Sequence, residues 1–253
     1  GDLLIPQVIE EHCPLTVSYN PHSQSTQLDA KNAMEAGGHS STLYLAPYQT
    51  AAKGRFGRDY FCPSQGGIYM SLHLKPNLPF DQAPAYTLMV AAAIYKALKN
   101  LALLDVDIKW VNDIYYKGKK VGGILTEAIS SIETGLITDV IIGIGLNFAI
   151  TNFPTELKDK AGSLFDSQPP ITRNELIAEI WKEFFNSPEE ELIYLYKQRS
   201  LVLGKEVCFE QNQTSYQGLA KDISDSGQLL VQLTDGQERW LNSGEISLKQ
   251  WDL

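Results

Sequence analysis

Lysines and arginines alternate with glycines in the middle of this chain, and the pattern demands a fold that closes several loops around one anion. The segments are Lys53-Gly54-Arg55-Phe56-Gly57-Arg58, Gly66-Gly67, Lys109-Trp110-Val111-Asn112-Asp113 and Lys120 with Gly122-Gly123. Glycine lets backbone N–H groups reach a ligand because no Cβ obstructs them, and arginine offers a planar fork that suits phosphate or carboxylate. We therefore expect an anion-binding site built from these loops.

The charge balance of the whole chain limits the partners of such a site. The 253 residues carry 21 Lys and Arg against 30 Asp and Glu, a formal net charge of −9. A negative protein repels a nucleic-acid backbone at long range, so we expect no nucleic-acid partner. No apolar run reaches the roughly 20 residues of a transmembrane helix, and the N-terminus lacks a signal-peptide pattern. We expect no membrane association and a cytoplasmic location.

Cysteine usage agrees with that location. The chain has 3 cysteines, which are scattered and form no Cys-x-x-Cys pair. This usage predicts a reducing compartment and no structural zinc.

Periodicity predicts alternating strands and helices in the first 200 residues. Residues 41–48 and 67–74 are β-prone, which places the cationic glycine loop between two strands. Residues 84–104 contain no internal glycine or proline and predict a long helix that starts at Pro84. Shorter strands are expected at 107–110, 115–116, 121–127 and 140–146.

A second helical region follows a long loop. Thr172 and Glu175 have the spacing of a helix cap, and the apolar pattern continues to about Arg199. Pro188 is expected to divide this helix. The loop at 151–170 has weak periodicity, and either covers a site or crosses the surface.

The pattern changes after Gly204 to short strands separated by Asn, Asp, Ser and Gly turns. Five strands in about 50 residues predict a small β-barrel. We therefore place a domain boundary near Leu201, which gives domains at 1–200 and 201–253.

In order and spacing, the motifs of this chain resemble those of the biotin protein ligase family, from about Thr16 onward. They are Ser25-Thr26-Gln27, Gln49, the loop from Ala52 through Arg58 to Tyr60, Gly66-Gly67, Lys109-Trp110-Val111-Asn112-Asp113, Lys120 with Gly123-Ile124-Leu125, and Gly143-Ile144-Gly145-Leu146-Asn147. No single segment is decisive, but the series as a whole is highly specific.

Several residues depart from the family pattern. Gln27 stands for Asn, Ala52 for Gly, Lys53 for Arg, Tyr60 for Trp and Val111 for Pro. Gln27 and Lys53 keep polarity or charge, so they affect individual contacts more than the reaction. Only some fifteen residues precede the matching region, so we expect neither the N-terminal DNA-binding domain of some members nor a repressor role.

The resemblance implies an α/β (α+β) fold. We expect a class II synthetase-like catalytic domain with a mixed sheet and helices, followed by an SH3-like C-terminal barrel. The implied reaction uses ATP and Mg²⁺ to convert biotin to biotinyl-5′-AMP, and then transfers biotin to a lysine of a biotin carboxyl carrier protein domain. Family members are monomers or dimers, so a homodimer remains open.

The resemblance also assigns roles to residues. The implied catalytic residues are Arg55, Arg58, Lys120 and Asp113, and Asp113 is also the implied metal ligand. The implied biotin-binding residues are Ser25, Thr26, Gln27, Gln49, Lys53, Gly54, Arg55, Lys120 and Gly123. The implied nucleotide-binding residues are Arg58, Tyr60, Asn112 and Asn147. Carboxylate and triphosphate repel each other, so the cations should supply the largest catalytic contribution.

Two other functions remain open from the sequence. One is a lipoate ligase or octanoyl transferase of the same fold, which the Gly-Arg-x-Gly-Arg loop and the small barrel disfavour. The other is a non-catalytic biotin- or nucleotide-binding regulator, which the presence of Arg55, Arg58, Asp113 and Lys120 disfavours.

Some segments also permit purely structural interpretations. Taken alone, Ser25-Thr26-Gln27 fits a helix cap better than a ligand contact. Trp110 is expected in the core, whereas Phe56 and Tyr60 are expected either in the core or stacked on adenine. The four histidines lack metal-like spacing. We also expect residues 53–58 to be mobile without ligand.

Overall fold

A computed structural model describes residues 2–242 and 246–248 of the chain. Its helices are α1 (Pro6–Glu10), α2 (Thr26–Glu35), α3 (Tyr86–Ala102), α4 (Arg173–Asn186) and α5 (Glu189–Gln198). Its strands are β1 (Thr16–Tyr19), β2 (Thr42–Ala46), β3 (Gly67–Leu74), β4 (Leu78–Pro79), β5 (Asp107–Lys109), β6 (Asp113–Tyr116), β7 (Lys119–Ser131), β8 (Leu136–Asn147), β9 (Glu206–Gln211), β10 (Thr214–Ile223), β11 (Leu229–Leu233), β12 (Glu238–Leu241) and β13 (Ile246–Leu248). The predicted α/β class is confirmed.

The large sheet has the order β1-β2-β3-β8-β7-β6-β5, and β4 pairs with β8. β1 and β2 run parallel, while β2, β3, β8, β7, β6 and β5 pair antiparallel in turn. The sheet is therefore mixed, as predicted. The cationic loop leaves the sheet after β2 and returns at β3, and the hairpin of β5 and β6 carries the Lys-Trp segment.

The helices α3, α4 and α5 cover one face of this sheet. Ile68, Met70 and Leu72 of β3 point to that face and are fully buried with the apolar side of α3. Successive strand residues face opposite sides, so Ser71 and His73 belong to the other face. There α2 packs over the sheet, and the loop after β2 borders the same side.

Local sequence explains where these helices begin and end. α3 begins at Tyr86, so Pro84 precedes the helix instead of occupying its first turn, and Leu103 ends it with a positive φ of 54°. Thr172 and Glu175 form the predicted capping box, in which each side chain bonds the other residue's backbone N–H. Pro188 is the N-cap of α5 and separates it from α4, as predicted.

The C-terminal residues form a five-stranded antiparallel sheet in the order β12-β11-β10-β9-β13. This is the predicted small SH3-like β-domain. The sequence pattern predicts its last strand over 245–248, of which residue 245 lies outside the described residues. Trp110 is buried, as expected. Its indole N–H donates to the Gly227 carbonyl at 2.9 Å, and this hydrogen bond links the segment after β5 to the turn between β10 and β11. The boundary near Leu201 stays a prediction.

The N-terminal elements α1, β1 and α2 were not predicted. α2 is capped by Ser25, whose side chain accepts a hydrogen bond from the Leu28 N–H. In the described ranges, no helix combines the length and apolar character that a membrane crossing requires.

Candidate active site

A trough opens where three glycines meet on neighbouring strands of the large sheet. Gly123 of β7 lies opposite Gly145 of β8, and Gly143 lies between Leu125 and Ser71 in the cross-strand register. A Cβ on Gly143 would stand 2.5 Å from the side chain of Gln27, and one on Gly145 would stand 2.8 Å from Tyr60. Because these glycines have no side chains, Gln27 and Tyr60 can lie close against the sheet, where they border the trough.

The trough forms a pocket of about 540 Å³, including its open mouth. Its lining combines α2, the cationic loop and the four strands β3, β6, β7 and β8: Ser25, Thr26, Gln27, Gln49, Ala52, Lys53, Gly54, Arg55, Tyr60, Ser71, Asn112, Asp113, Lys120, Gly123, Ile124, Leu125, Gly143, Ile144 and Gly145. The structure thus brings together most residues that the sequence assigned to a site.

Gln49 anchors one end of the pocket. Its Oε1 accepts from the Thr26 N–H at 2.7 Å and from the Thr26 hydroxyl at 3.1 Å. The Thr26 hydroxyl has one proton and donates it to Gln49. In the 2.8 Å contact between the two hydroxyls, Ser71 is therefore the donor and Thr26 the acceptor. Gln49 Nε2 donates to Cys62 Sγ at 3.3 Å. Burial raises the pKa of the Cys62 thiol to about 11, so the thiol is neutral at pH 7.

Gln27 follows Thr26, the residue that Gln49 bonds, but it presents the opposite group to the pocket. Its Nε2 donates to the Leu125 carbonyl at 3.3 Å and to Glu127 Oε1 at 3.0 Å. Its Oε1 is buried and accepts no hydrogen bond from any described residue. An amide nitrogen has two protons, so this end of the pocket offers one spare donor on Gln49 and one spare acceptor on Gln27.

The other end of the pocket is cationic. Lys120 Nζ lies 3.2 Å from Asp113 Oδ1 and 5.9 Å from the centre of the Tyr60 ring. The Tyr60 hydroxyl donates to the Gly145 carbonyl at 3.2 Å, and burial raises the pKa of this phenol above its usual value. Arg55 and Lys53 come from the cationic loop, where Lys53 pairs with Asp59.

The backbone of Lys120 is fixed by the loop at 151–170. The Lys120 N–H donates to the Lys160 carbonyl, and the Gly162 N–H donates to the Lys120 carbonyl, both at 2.9 Å. The loop therefore runs beside the site and supports its central lysine.

Asn112 adds another polar group to the lining. Its Nδ2 donates to the Ile124 carbonyl at 2.8 Å, while its Oδ1 is buried and has no partner among the residues that the structure describes. A buried acceptor of this kind costs free energy until a ligand donates to it. Asn112 is thus prepared to bind a ligand N–H.

Two residues with predicted site roles lie outside the lining. Arg58 is exposed on the loop, with its guanidinium 5.7 Å from the ring of Phe56, which is also exposed. The Asn147 amide donates to the Gly162 carbonyl at 2.9 Å and so holds the loop at 151–170. The ligand roles of Arg58 and Asn147 stay predictions.

Among the lining residues named above, Ser71 alone lies outside the motifs found in the sequence. The sequence did carry a signal for Ser71. It is two residues from both Tyr69 and His73, so these three side chains share the face of β3 opposite Ile68, Met70 and Leu72. The described residues contain no cluster of three or more His, Cys, Asp or Glu that could hold a metal. His73 is fully buried and bonds Asp139 at 2.6 Å.

Comparison with known proteins gives two family matches. The model of the biotin/lipoate A/B protein ligase family matches residues 20–147, and that of the biotin protein ligase C terminal domain matches residues 202–249. The bifunctional ligase/repressor BirA of Bacillus subtilis is 32% identical over 240 residues, which cover 91% of this chain and 73% of that protein.

Two further similar proteins are named as biotin ligases. The biotin--[acetyl-CoA-carboxylase] ligase of Mycobacterium tuberculosis is 26% identical and aligns over 81% of this chain and 77% of its own length. The structure of the biotin protein ligase from Aquifex aeolicus in complex with biotin and ATP superposes with a TM-score of 0.75 at 26% identity, covering 92% of this chain and 98% of that one.

Proposed function

The chain belongs to the biotin/lipoate A/B protein ligase family, and from that premise and its pocket we infer that it is a biotin protein ligase. It activates biotin with ATP to biotinyl-5′-AMP and pyrophosphate. The amine of a lysine on a biotin carboxyl carrier protein domain then attacks the acyl carbon, which forms an amide with the biotinyl group and releases AMP.

The observation that carries this proposal is the polarity of the pocket. The Gln27 amide lies over Gly143 with Gln49 bonded to its neighbour Thr26, whereas the Lys120 ammonium lies near Gly123, which pairs with Gly145 two residues further along β8. Biotin has the matching polarity, because its ring carries a urea with two N–H donors and one carbonyl acceptor, and its chain ends in a carboxylate. The spare donor of Gln49 suits the urea carbonyl, and the spare acceptor of Gln27 suits a ring N–H. A buried urea needs such matched partners.

The cationic end suits the first chemical step. The biotin carboxylate attacks the α-phosphorus of ATP, so two anions must approach and negative charge grows on the phosphoryl oxygens. Lys120 and Arg55 reach the same pocket, and donors held in place before the reaction stabilise that charge most effectively. Lys53 and Gly54 border the same space, and Gly54 allows backbone approach.

Asn112 supports the nucleotide assignment. Its buried Oδ1, which accepts no hydrogen bond within the described part of the chain, suits a base N–H donor. Tyr60 supplies a ring beside Lys120. We assign Asn112 and Tyr60 to the nucleotide, and Arg58 joins them if the cationic loop closes over the phosphates.

The fit of Mg²⁺ depends on Asp113, the carboxylate that lines the pocket. Mg²⁺ is usually held by one or two carboxylates together with substrate phosphates, so a single Asp113 beside a triphosphate suits it. When bound, the ion would neutralise phosphate charge. Asp113 meanwhile holds Lys120 at 3.2 Å, so it also orients the cation.

The second step needs the mixed anhydride to meet a carrier lysine before it meets water. The cationic loop is closed on itself by hydrogen bonds from the Gly54 N–H to the Arg58 carbonyl and from the Tyr60 N–H to the Ala52 carbonyl. A loop with its own closure can move as a unit over a bound adenylate. The homodimer and the cytoplasmic location stay predictions.

Adenylate formation tests the proposal directly. With ATP and Mg²⁺ present, pyrophosphate release should depend on biotin and should not be supported by lipoate. Release with lipoate and not with biotin would indicate the lipoate branch of the family. Tight biotin binding without pyrophosphate release would indicate a regulator.

A further inference from the structure

Gln27 lies in the first turn of α2, directly over the glycine-lined part of β8. A Cβ on Gly143 would stand 2.5 Å from its Oε1 and 2.7 Å from its Cδ. The amide therefore occupies the space that glycine leaves and borders the pocket. Which way round the amide sits decides whether the ligand meets a donor or an acceptor.

Two acceptors fix that orientation. The Leu125 carbonyl and Glu127 Oε1 both lie within hydrogen-bond distance of Gln27 Nε2, at 3.3 and 3.0 Å. A carbonyl and an ionised carboxylate can only accept. A reversed amide would set oxygen against oxygen at both contacts, so Oε1 must face away from them.

Glu127 is itself held by a cation. Its second oxygen, Oε2, lies 2.7 Å from Lys31 Nζ, and both side chains are about one-third exposed. Lys31 sits one helical turn after Gln27 on α2, where residues four apart share a face. The ammonium thus occupies one carboxylate oxygen and leaves the other for Gln27.

From these contacts we propose that Glu127 is a positioning residue that determines ligand specificity by turning the Gln27 carbonyl toward the bound ring. The inference rests on the proposed function, because the ligand it selects is the cyclic urea of biotin. A ring without an N–H at this point would leave Gln27 Oε1 buried and unpaired, which is unfavourable.

Substitution of Glu127 by glutamine has a specific consequence. Lys31 would draw the new amide oxygen toward itself, because an ammonium has no acceptor. The NH₂ group of the substituted residue would then face Gln27 Nε2, donor against donor. Gln27 must either reverse or lose this contact, and in both cases the acceptor presented to biotin is weakened.

The experiment measures the Kd of biotin by calorimetry for wild type, E127Q, K31M and the double variant K31M/E127Q. We expect the Kd to rise on the order of tenfold in E127Q. K31M alone should leave it within about twofold, since Glu127 keeps its contact with Gln27. The double variant should recover most of the loss, because without the ammonium the new amide is free to turn its oxygen to Gln27.

A second comparison separates positioning from general damage. In a Q27N background the shorter side chain no longer reaches Glu127, so adding E127Q should change the biotin Kd by less than about twofold. The Kd of ATP and the melting temperature should be unchanged in E127Q, and KM for biotin should rise without an equal fall in kcat. E133Q, on the exposed turn after β7, is the matched control.

Several results would overturn the inference. They are an unchanged Kd in E127Q, no recovery in K31M/E127Q, or an equal effect of E127Q in the Q27N background. Failure of the wild type to bind biotin would instead refute the proposed function, so the two failures are distinguishable.

Discussion

Replacement of Gln49 by glutamate changes the hydrogen-bonding groups at the amide end of the pocket while keeping its shape. In the folded protein, Oε1 of Gln49 accepts two hydrogen bonds from Thr26, and Nε2 donates one to Cys62. A glutamate keeps both acceptor contacts with Thr26. It removes the remaining N–H proton, which we assign to the urea carbonyl of biotin, and places a carboxylate oxygen there.

The expected rise in the Kd of biotin follows from the loss of this one hydrogen bond. Leaving one buried acceptor unsatisfied costs about 1–3 kcal/mol, and opposition between two oxygens favours the upper part of this range. Since 1.4 kcal/mol corresponds to a factor of ten, the Kd of biotin should rise roughly 30- to 150-fold. The Kd of ATP should change little, because Gln49 bonds Thr26 on the Gly143 side of the pocket, whereas Lys120 lies near Gly123.

Calorimetric titration of biotin into Q49E and wild type measures this difference. The matched control is Q24E, which adds the same charge at an exposed position next to the cap of α2. A biotin Kd within about twofold of wild type would refute the assignment of Gln49 as a donor. An equal loss of ATP affinity would show that the substitution had disturbed the whole pocket instead.

Three further predictions concern other parts of the molecule. Substituting Lys120 by alanine should slow biotin-dependent pyrophosphate release by about 10²- to 10³-fold, with a much smaller change in biotin Kd; unaffected release would remove Lys120 from the catalytic residues. Trypsin should cut at Lys53, Arg55 or Arg58 several-fold more slowly when biotin and ATP are both bound, and equal cutting rates would contradict closure of the loop. Burial alone would raise the pKa of Asp139, but hydrogen bonds with His73 and Thr138 hold it below its usual value, so its stabilisation is present at neutral pH and is lost as the pH falls through that lowered pKa. D139N should therefore lower the melting temperature at pH 7 and make the melting temperature fall less steeply as the pH is lowered. An equally steep fall in wild type and D139N would contradict this prediction.

The elements that the sequence predicted well are those with strong local signals. The alternation in 67–74, the uninterrupted helical pattern before Leu104 and the capping pair of Thr172 and Glu175 each depend on neighbouring residues. By contrast, α2 has few apolar residues and buries only Thr26 and Ala30. Its periodicity was therefore too weak to predict, although its cap at Ser25 was visible.

The site shows the same division. Its glycines and cations follow one another in recognisable motifs, so residues such as Lys120 and Gly123 were found from the sequence. Ser71 bonds Thr26, which is 45 residues away in the sequence, and Glu127 bonds Gln27, which is 100 residues away. Such pairings depend on strand register and helix placement, which one sequence does not reveal. The position of Arg58 depends in turn on how a glycine-containing loop folds.

Ligase activity is tested most directly by transfer of labelled biotin to the lysine of a biotin carrier domain, with ATP and Mg²⁺, run beside labelled lipoate. We expect label from biotin to appear on the carrier, lipoate not to be transferred, and a carrier whose target lysine is replaced by arginine to stay unlabelled. Transfer of lipoate, or tight biotin binding with no transfer of either compound, would contradict the proposed ligase activity.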